Sequence, residues 1–281
     1  MKNQKTWFIT GASRGFGLDI TKAVLAAGDR VVATVRSNPD KLVETLENHP
    51  ELLVVVLDVT NEQQVREGIG AGIAKFGKID VVVNNAGYGL LAAVEEATDE
   101  EVRKQYDTNV FGLLNVTRAA IPHLRANNSG HIINISSLFG YEASTVGLGL
   151  YASTKFAVEG ITEGLALELK PFGIHVTALA PGLFSTDFLA GDSFHFSKNV
   201  IAAYDGNVGQ IRNAVTQLHG NQPGDPAKLA QVVVEIANSE NPPVHLPVGK
   251  DSVAQFRAKA LKTEKEIATW EALSSSTDHK S

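Results

Sequence analysis

Seven short apolar runs recur along this chain with stretches of helical periodicity between them, and that alternation restricts the fold more than any other property of the sequence. The runs cover residues 7–10, 30–36, 52–58, 81–84, 131–136, 175–180 and 244–248. Several are apolar almost throughout, as in Leu52-Leu53-Val54-Val55-Val56-Leu57. A strand wet on one face would alternate, so these read as parallel strands covered by helices on both sides. Strand and helix in turn predict a doubly wound α/β sheet of seven strands. The last run is the weakest of them, because Pro247 cannot donate a ladder hydrogen bond.

The intervening segments carry helix signals. Phe16, Ile20, Val24 and Ala27 follow helical spacing, and Gly28 stands where a helix end commonly needs a positive φ. Thr60 with Gln63 and Thr98 with Glu101 have the spacing of capping boxes, which places the starts of the third and fourth crossover helices there. Residues 99–125 carry Val102, Leu113, Val116, Ala120 and Leu124 on one long helix, and residues 151–170 run unbroken to Pro171. No internal repeat or low-complexity linker interrupts the pattern.

Composition narrows the chemistry. The 281 residues include no cysteine, so disulfides, thiolate metal sites and cysteine nucleophiles are excluded together. The eight histidines are scattered, with no His-Glu-x-x-His and no acidic cluster at ligand spacing, so no metal is expected. The net charge of −6, with no basic cluster, gives no electrostatic footprint for nucleic acid. The apolar run at the N-terminus is too short for a signal peptide or a membrane span, which makes a cytoplasmic protein without membrane partners the expectation.

The first strand ends in Thr10-Gly11-Ala12-Ser13-Arg14-Gly15-Phe16-Gly17 and runs straight into a helix. Such glycines let the backbone turn tightly and approach a diphosphate, while the helix N-terminus offers free N–H groups. A glycine-rich turn without a ligand is the plainer alternative. Dinucleotide folds that use NAD place Asp or Glu at the end of the second strand, for the ribose hydroxyls. Here Val35 and Arg36 stand there. A guanidinium can grip a 2'-phosphate that a carboxylate would repel, and Arg14 offers a second cation, so NADP(H) is favoured over NAD(H). Both arginines could also be simple solvated surface residues.

Tyr151-Ala152-Ser153-Thr154-Lys155 puts a phenol and an ammonium on one helix face with Cβ atoms about 6 Å apart. A free phenol has a pKa of about 10, and a nearby cation favours phenolate. Alone, such a pair is more often surface decoration. It does not stand alone.

Six separated motifs make the chain resemble the short-chain dehydrogenase/reductase family, in its single-domain branch, over nearly its whole length. They are the loop 10–17, Asn84-Asn85-Ala86-Gly87 after the fourth run, Asn109, Ser136-Ser137, Tyr151 with Lys155, and Pro181-Gly182-Leu183-Phe184-Ser185-Thr186. The resemblance implies a Rossmann-type fold and names roles. Tyr151 would be the proton donor or acceptor, Lys155 would lower its pKa and hold the nicotinamide ribose, and Ser137 would bind the substrate carbonyl. Asn109 would hold a helix distortion and a water that links Lys155 to solvent, or be an ordinary polar helix residue. Gly11, Ser13, Arg14, Gly15, Phe16 and Gly17 would line the diphosphate, and Asn85, Ala86 and Gly87 the adenosine side. Asp58 and Val59 would face the adenine, although Asp58 also suits a strand-end turn. Pro181, Gly182, Phe184 and Thr186 would hold the nicotinamide.

The family places its serine one position nearer the tyrosine, where Leu138 stands in this chain. Reading Ser136-Ser137-Leu138-Phe139-Gly140 as the family's Ser-Ser-x-x-Gly keeps Ser137 as the catalytic serine, puts one extra residue in the loop 145–149 and leaves Ser136 and Ser144 as weaker candidates.

The expected activity is NADPH-dependent carbonyl reduction, or the reverse alcohol oxidation. A non-catalytic NADPH-binding sensor on the same fold is the alternative. Because the motifs of one nucleotide site spread from Thr10 to Thr186, residues 1–281 read as one domain, with residues 187–223 as a substrate lid and 251–281 as a C-terminal extension frayed over 274–281. Leu90, Leu91, Leu138, Phe139, Val146, Phe184, Phe188, Leu189, Phe194 and Phe196 fall in segments edging the family's cleft, so a roomy apolar pocket is expected. The subgroup resembled, hydroxysteroid and retinol dehydrogenases, points to lipophilic or aryl ketones and aldehydes. His195 reads first as a surface-loop histidine and second as a substrate contact, and His131 and His175 read as structural. The resemblance further implies a homodimer or homotetramer, joined through 99–125 and 151–170.

Overall fold

The computed structural model describes residues 4–186, 188, 193–218 and 222–279, with the side chains of 216–218 left out. Seven parallel strands form one sheet: β1 (Thr6–Ile9), β2 (Arg30–Val35), β3 (Leu52–Val56), β4 (Val81–Asn84), then β6 (Gly130–Ile135), β7 (Ile174–Pro181) and β9 (His245–Val248). Their order is β3-β2-β1-β4-β6-β7-β9. The expected last strand forms in spite of Pro247, at the edge, where a missing donor is tolerated.

Alternation along each strand feeds two cores. Trp7, Ile9, Val31, Ala33, Val81, Val83 and Ile133 point to the face covered by α1 (Gly15–Ala26), α2 (Pro39–Thr45) and α8 (Pro226–Ile236). Phe8, Val32, Val82 and Ile132 point to the face covered by α3 (Glu62–Phe76), α5 (Gly112–Ala126) and α6 (Gly149–Leu169). Trp7, Phe8 and Ile9 are wholly buried. This double covering explains why the runs are apolar throughout.

Helix ends follow their caps, with one correction. Thr98 and Glu101 form the expected box at the start of α4 (Asp99–Tyr106), with Glu101 N donating to Thr98 Oγ1 (3.2 Å) and Thr98 N to Glu101 Oε2 (2.9 Å). Thr60 does not cap α3. Asn61 does, accepting from Gln63 N and Gln64 N (3.0 and 3.1 Å), while Thr60 gives its own N–H and hydroxyl to Asp58 Oδ1 (2.9 and 2.7 Å). The segment expected as one helix over 99–125 is broken between α4 and α5 by a π-helical turn, Asp107–Phe111. Gly28 has φ +83°, as its place after α1 requires.

Two short strands were not expected. β5 (Gly89–Leu91) pairs in parallel with β8 (Phe194–Phe196) as a separate two-stranded ladder above the main sheet. A third small core forms there from Leu91, Ala93, Leu148, Phe194, Val208 and Val215, the last on α7 (Gln210–Leu218). Buried Glu96 fastens this layer, accepting from Ala93 N (2.9 Å), Ile201 N (3.1 Å) and the Arg212 guanidinium of α7 (3.0 Å). The chain ends in the long helix α9 (Lys250–Ser274) and a 3₁₀ turn, Ser275–Thr277, where fraying was expected; residues 280–281 lie outside the described residues. Among the described residues no helix is long and apolar enough to cross a membrane, and no three His, Asp or Glu side chains are grouped as metal ligands would be.

Candidate active site

Strand order reverses between β1 and β4, and the helices that follow those two strands cover opposite faces of the sheet, which opens a crevice at the strand ends. Both loops are the glycine-bearing motifs of the sequence. Thr10 ties them together: its Oγ1 accepts from Asn85 N and Ala86 N (both 3.0 Å) and donates to Val83 O (3.3 Å). Asn85 Nδ2 donates in return to Thr10 O (2.9 Å) and Gly11 O (3.1 Å). The Asn85 side chain therefore braces the glycine loop.

Gly17 shows how tight that brace is. A Cβ there would stand 2.2 Å from Gly11 O and 2.7 Å from Asn85 Nδ2, so only glycine lets α1 start this close to the loop. Arg14 precedes α1 and puts no side-chain cap on it, leaving the first N–H groups of the helix directed at the crevice. Arg14 and exposed Arg36 both line the cavity, and neither pairs with a carboxylate among the described residues.

The crevice continues into one cavity of about 800 Å³. Of the residues singled out from the sequence, Gly11, Ser13, Arg14, Gly15, Phe16, Arg36, Asp58, Val59, Asn85, Ala86, Gly87, Ser137, Tyr151, Lys155, Pro181, Gly182, Phe184 and Thr186 line it. Gly17 and Asn109 stand behind its wall. Asn109, 2% exposed, lies in the π-helical turn, accepts from Tyr88 N (3.0 Å), and donates to Tyr88 O (2.9 Å) and Thr154 Oγ1 (3.1 Å). Asp58 serves the strand-end turn through Thr60, the plainer of its two readings, while still bordering the cavity.

Ser137, Tyr151 and Lys155 meet at the inner end. Ser137 precedes a 3₁₀ turn, Leu138–Gly140, that its Oγ caps at Phe139 N (3.2 Å). The extra residue of the following loop leaves the Ser137 hydroxyl on the Tyr151 side of the cavity. Ser144 is turned away to Gln255 (3.2 Å), and Ser136 Oγ lies on the far side of the chain, toward Gly140 and Glu159. Lys155 Nζ donates to Ile135 O (2.8 Å) and stands 5.8 Å from the centre of the Tyr151 ring.

Burial sets the acidity of both groups. It pushes the Tyr151 phenol up to about 12 against the pull of the neighbouring Ser137 hydroxyl, and pushes the Lys155 ammonium down to about 8 against the Glu159 carboxylate. The sequence led to the opposite expectation for the phenol, which Lys155 was to draw down. In this arrangement desolvation is the largest influence on the phenol.

Away from the glycine loop the wall is apolar: Leu138, Phe139, Leu148, Phe188 and Phe194, while Phe184 packs against Phe16 of the loop itself at 5.4 Å. Phe188 packs against both Tyr151 (5.9 Å) and Phe194 (5.9 Å). Leu90 and Leu91, expected at the cleft, are core residues, Val146 and Phe196 are exposed outside it, and Leu189 lies outside the described residues. His195 belongs to β8 and is not in a loop; it borders the cavity, edge-on to Tyr88 at 5.1 Å. Tyr88 itself went unnoticed in the sequence, although it directly follows Asn-Asn-Ala-Gly. Its phenol is pushed up to about 12 by burial and by Asp107 and Glu101. Also unforeseen is Asp251 at the start of α9, which accepts from Leu183 N (2.6 Å) and fills the space a side chain at Gly182 would need.

A family model described as short chain dehydrogenase matches residues 5–193. The chain is 40% identical over 259 residues to the oxidoreductase BOA17 of Botryotinia fuckeliana, covering 92% of this chain and 93% of the relative. It is 36% identical over 252 residues to the 3-ketodihydrosphingosine reductase of Bacteroides thetaiotaomicron, covering 86% of each. A crystal structure of a short-chain dehydrogenase from Streptomyces avermitilis superposes with a TM-score of 0.90 at 37% identity, covering 99% of this chain and 100% of that one. Two less similar structures carry cofactors: ElxO with NADP bound (28% identity, TM-score 0.74, 90% and 100% covered) and a Brucella melitensis 3-ketoacyl-(acyl-carrier-protein) reductase complexed with NADH (29%, 0.72, 87% and 96%).

Proposed function

This chain belongs to the short-chain dehydrogenase family of oxidoreductases, and from that premise we propose that it reduces lipophilic or aryl ketones and aldehydes at the expense of NADPH. The observation that carries the reading is the convergence of Ser137, Tyr151 and Lys155 at the inner end of a cavity whose outer end is the glycine loop and whose wall away from that loop is apolar.

The residues present fit a dinucleotide. Gly17 keeps the loop close to α1, the uncapped helix start presents its N–H groups, and Arg14 and Arg36 offer two cations where a 2'-phosphate would lie. ElxO, a relative with NADP bound, supports that choice, whereas the Brucella reductase with NADH shows that the family accommodates either cofactor. Arg36 in place of an acidic residue is what favours NADPH here.

When bound, the dinucleotide supplies the hydride. The side chains manage the oxygen. Ser137 donates a hydrogen bond to the carbonyl oxygen and steadies the charge that grows on it. Tyr151, held protonated at neutral pH by its burial, donates its proton to that oxygen. Lys155 stays largely cationic at pH 7, holds the ribose and eases loss of the phenolic proton. Asn109 fixes the π-helical turn and with it the backbone of Tyr88 at the cavity wall. Phe139, Phe188 and Phe194 select apolar substrates, and the similarity to a 3-ketodihydrosphingosine reductase supports a long lipophilic ketone among them.

Assembly into a homo-oligomer completes the proposal, because Phe111, Phe156 and Leu167 expose apolar surface on the segments that resemble the family's interfaces. The test of activity is a panel of bulky ketones assayed with NADPH and NADH in parallel. NADPH-dependent turnover of apolar ketones is expected. Cofactor binding without turnover of any carbonyl would favour the sensor reading.

A further inference from the structure

Two turns of α6 beyond Tyr151 stands a buried carboxylate that this mechanism leaves unused. Glu159 is 6% exposed and follows Lys155 by one helical turn, on the same face. Its Oε2 lies 2.7 Å from His245 Nδ1 on β9, and His245 Nε2 lies 3.1 Å from Glu163 Oε1, one turn further along α6 and open to solvent. Tyr151, Lys155, Glu159 and Glu163 thus form a row at four-residue intervals, and His245 bridges its last two members. Each ring nitrogen of His245 has a carboxyl oxygen as its neighbour, Glu159 on the buried side and Glu163 at the surface.

The surroundings leave Lys155 few charged neighbours. From its own helix it faces Tyr151 and Glu159; from β6 it meets only the Ile135 carbonyl, and beside it stand Gly87 and the uncharged Asn109 amide. Glu159 faces Lys155 on its own helix, His245 from β9 and the Ser136 hydroxyl after β6. Gly140 allows this packing: a Cβ there would stand 2.5 Å from Ser136 Oγ and 3.2 Å from Glu159 Cγ. Burial holds the Glu159 carboxyl above the ordinary carboxylate value, while Ser136, His245 and Lys155 pull it back toward the charged form.

We propose that Glu159, fixed in place by His245, is the counter-charge of Lys155, a positioning residue that keeps the lysine protonated in its buried site and links its charge to the surface through His245 and Glu163. The inference rests on the proposed role of Lys155 but is read out apart from it. Full-length protein labelled with [ε-¹³C]lysine is titrated by NMR, the Lys155 signal being identified by its loss in Lys155→Arg. In the wild type it titrates near 8. In Glu159→Gln, which keeps the shape and the hydrogen bond, it titrates about one pH unit lower. His245→Gln shifts it the same way by less, and serves as the test if Glu159→Gln does not fold.

In the ketone assay, the alkaline limb of kcat/KM for Glu159→Gln moves down with the lysine while the rate near pH 6 is kept, and Glu159→Asp moves it back. Coincident Lys155 titrations in wild type and both variants, or a loss of activity equal at every pH, overturn the inference. A shifted lysine in a protein that reduces no carbonyl overturns the proposed activity and leaves the counter-charge standing.

Discussion

Thr10→Val tests whether the two loops at the mouth of the crevice are held together as described. The substitution keeps the shape of the side chain and removes only the hydroxyl, which is buried and uses all three of its hydrogen-bonding positions. The Ala86 N–H loses its acceptor, while the Asn85 N–H keeps its second one, Val83 O at 3.1 Å. Orphaning a buried donor costs about 1–3 kcal/mol, so a loss of about 1–3 kcal/mol is expected. The Val83 bond, at 3.3 Å, adds little. Urea unfolding of wild type and variant measures the stability change directly, and quenching of Trp7 and Trp270 fluorescence or enhancement of NADPH emission measures binding. Dinucleotide affinity should fall together with stability, because the hydroxyl fixes the distance between the glycine loop and the 85–87 turn. A stability change under about 0.5 kcal/mol, the range of neutral surface substitutions, would refute the reasoning.

Other consequences are as direct. Arg36→Ala should weaken NADPH far more than NADH in a binding titration, and equal losses would show that Arg36 does not read the 2'-phosphate. Because the Tyr151 phenol is held up to about 12, reduction should run well at neutral pH while alcohol oxidation, which needs the phenolate, should keep rising toward alkaline pH; a common optimum near pH 7 would contradict this. Buried His131, pushed down to about 3 by burial and by His175 and Lys5, stays neutral in the fold and takes up a proton only in the unfolded chain. Stability should therefore fall as pH drops from about 6.5 toward 3, by about 1.4 kcal/mol per pH unit, and His131→Gln should flatten that slope in acid unfolding experiments. Light scattering should find more than one copy per particle, and Phe111→Glu should reduce it.

The sheet was legible because its central strands, β1, β2, β4, β6 and β7, are buried on both faces, which writes them into the sequence as apolar runs, and the half-buried edge strand β3 is apolar as well. β5 and β8 were not, since three residues such as Gly89-Leu90-Leu91 become a strand only by pairing with 194–196, a partner a hundred residues away. The cap of α3 shows a local ambiguity: Thr60 and Asn61 are both good caps, and Asn61 takes the place because Asp58 engages Thr60 first. The cavity-lining motifs were readable because cofactor geometry demands particular residue types at fixed spacing. Their supports were not. Asp251 under Gly182, His245 against Glu159 and His195 against Tyr88 are meetings of distant segments, set by topology and carrying no local pattern. The acidity of Tyr151 was misjudged for a similar reason, since spacing reveals the neighbouring cation while burial emerges only from the packed fold.

The central claim is that Tyr151 passes the proton to the carbonyl oxygen. Single-turnover reduction of an apolar ketone by Tyr151→Phe, with NADPH affinity measured on the same sample, tests it most directly. The account predicts that turnover is abolished while NADPH binds nearly as before; hydride transfer retained at a rate close to that of the wild type would contradict it.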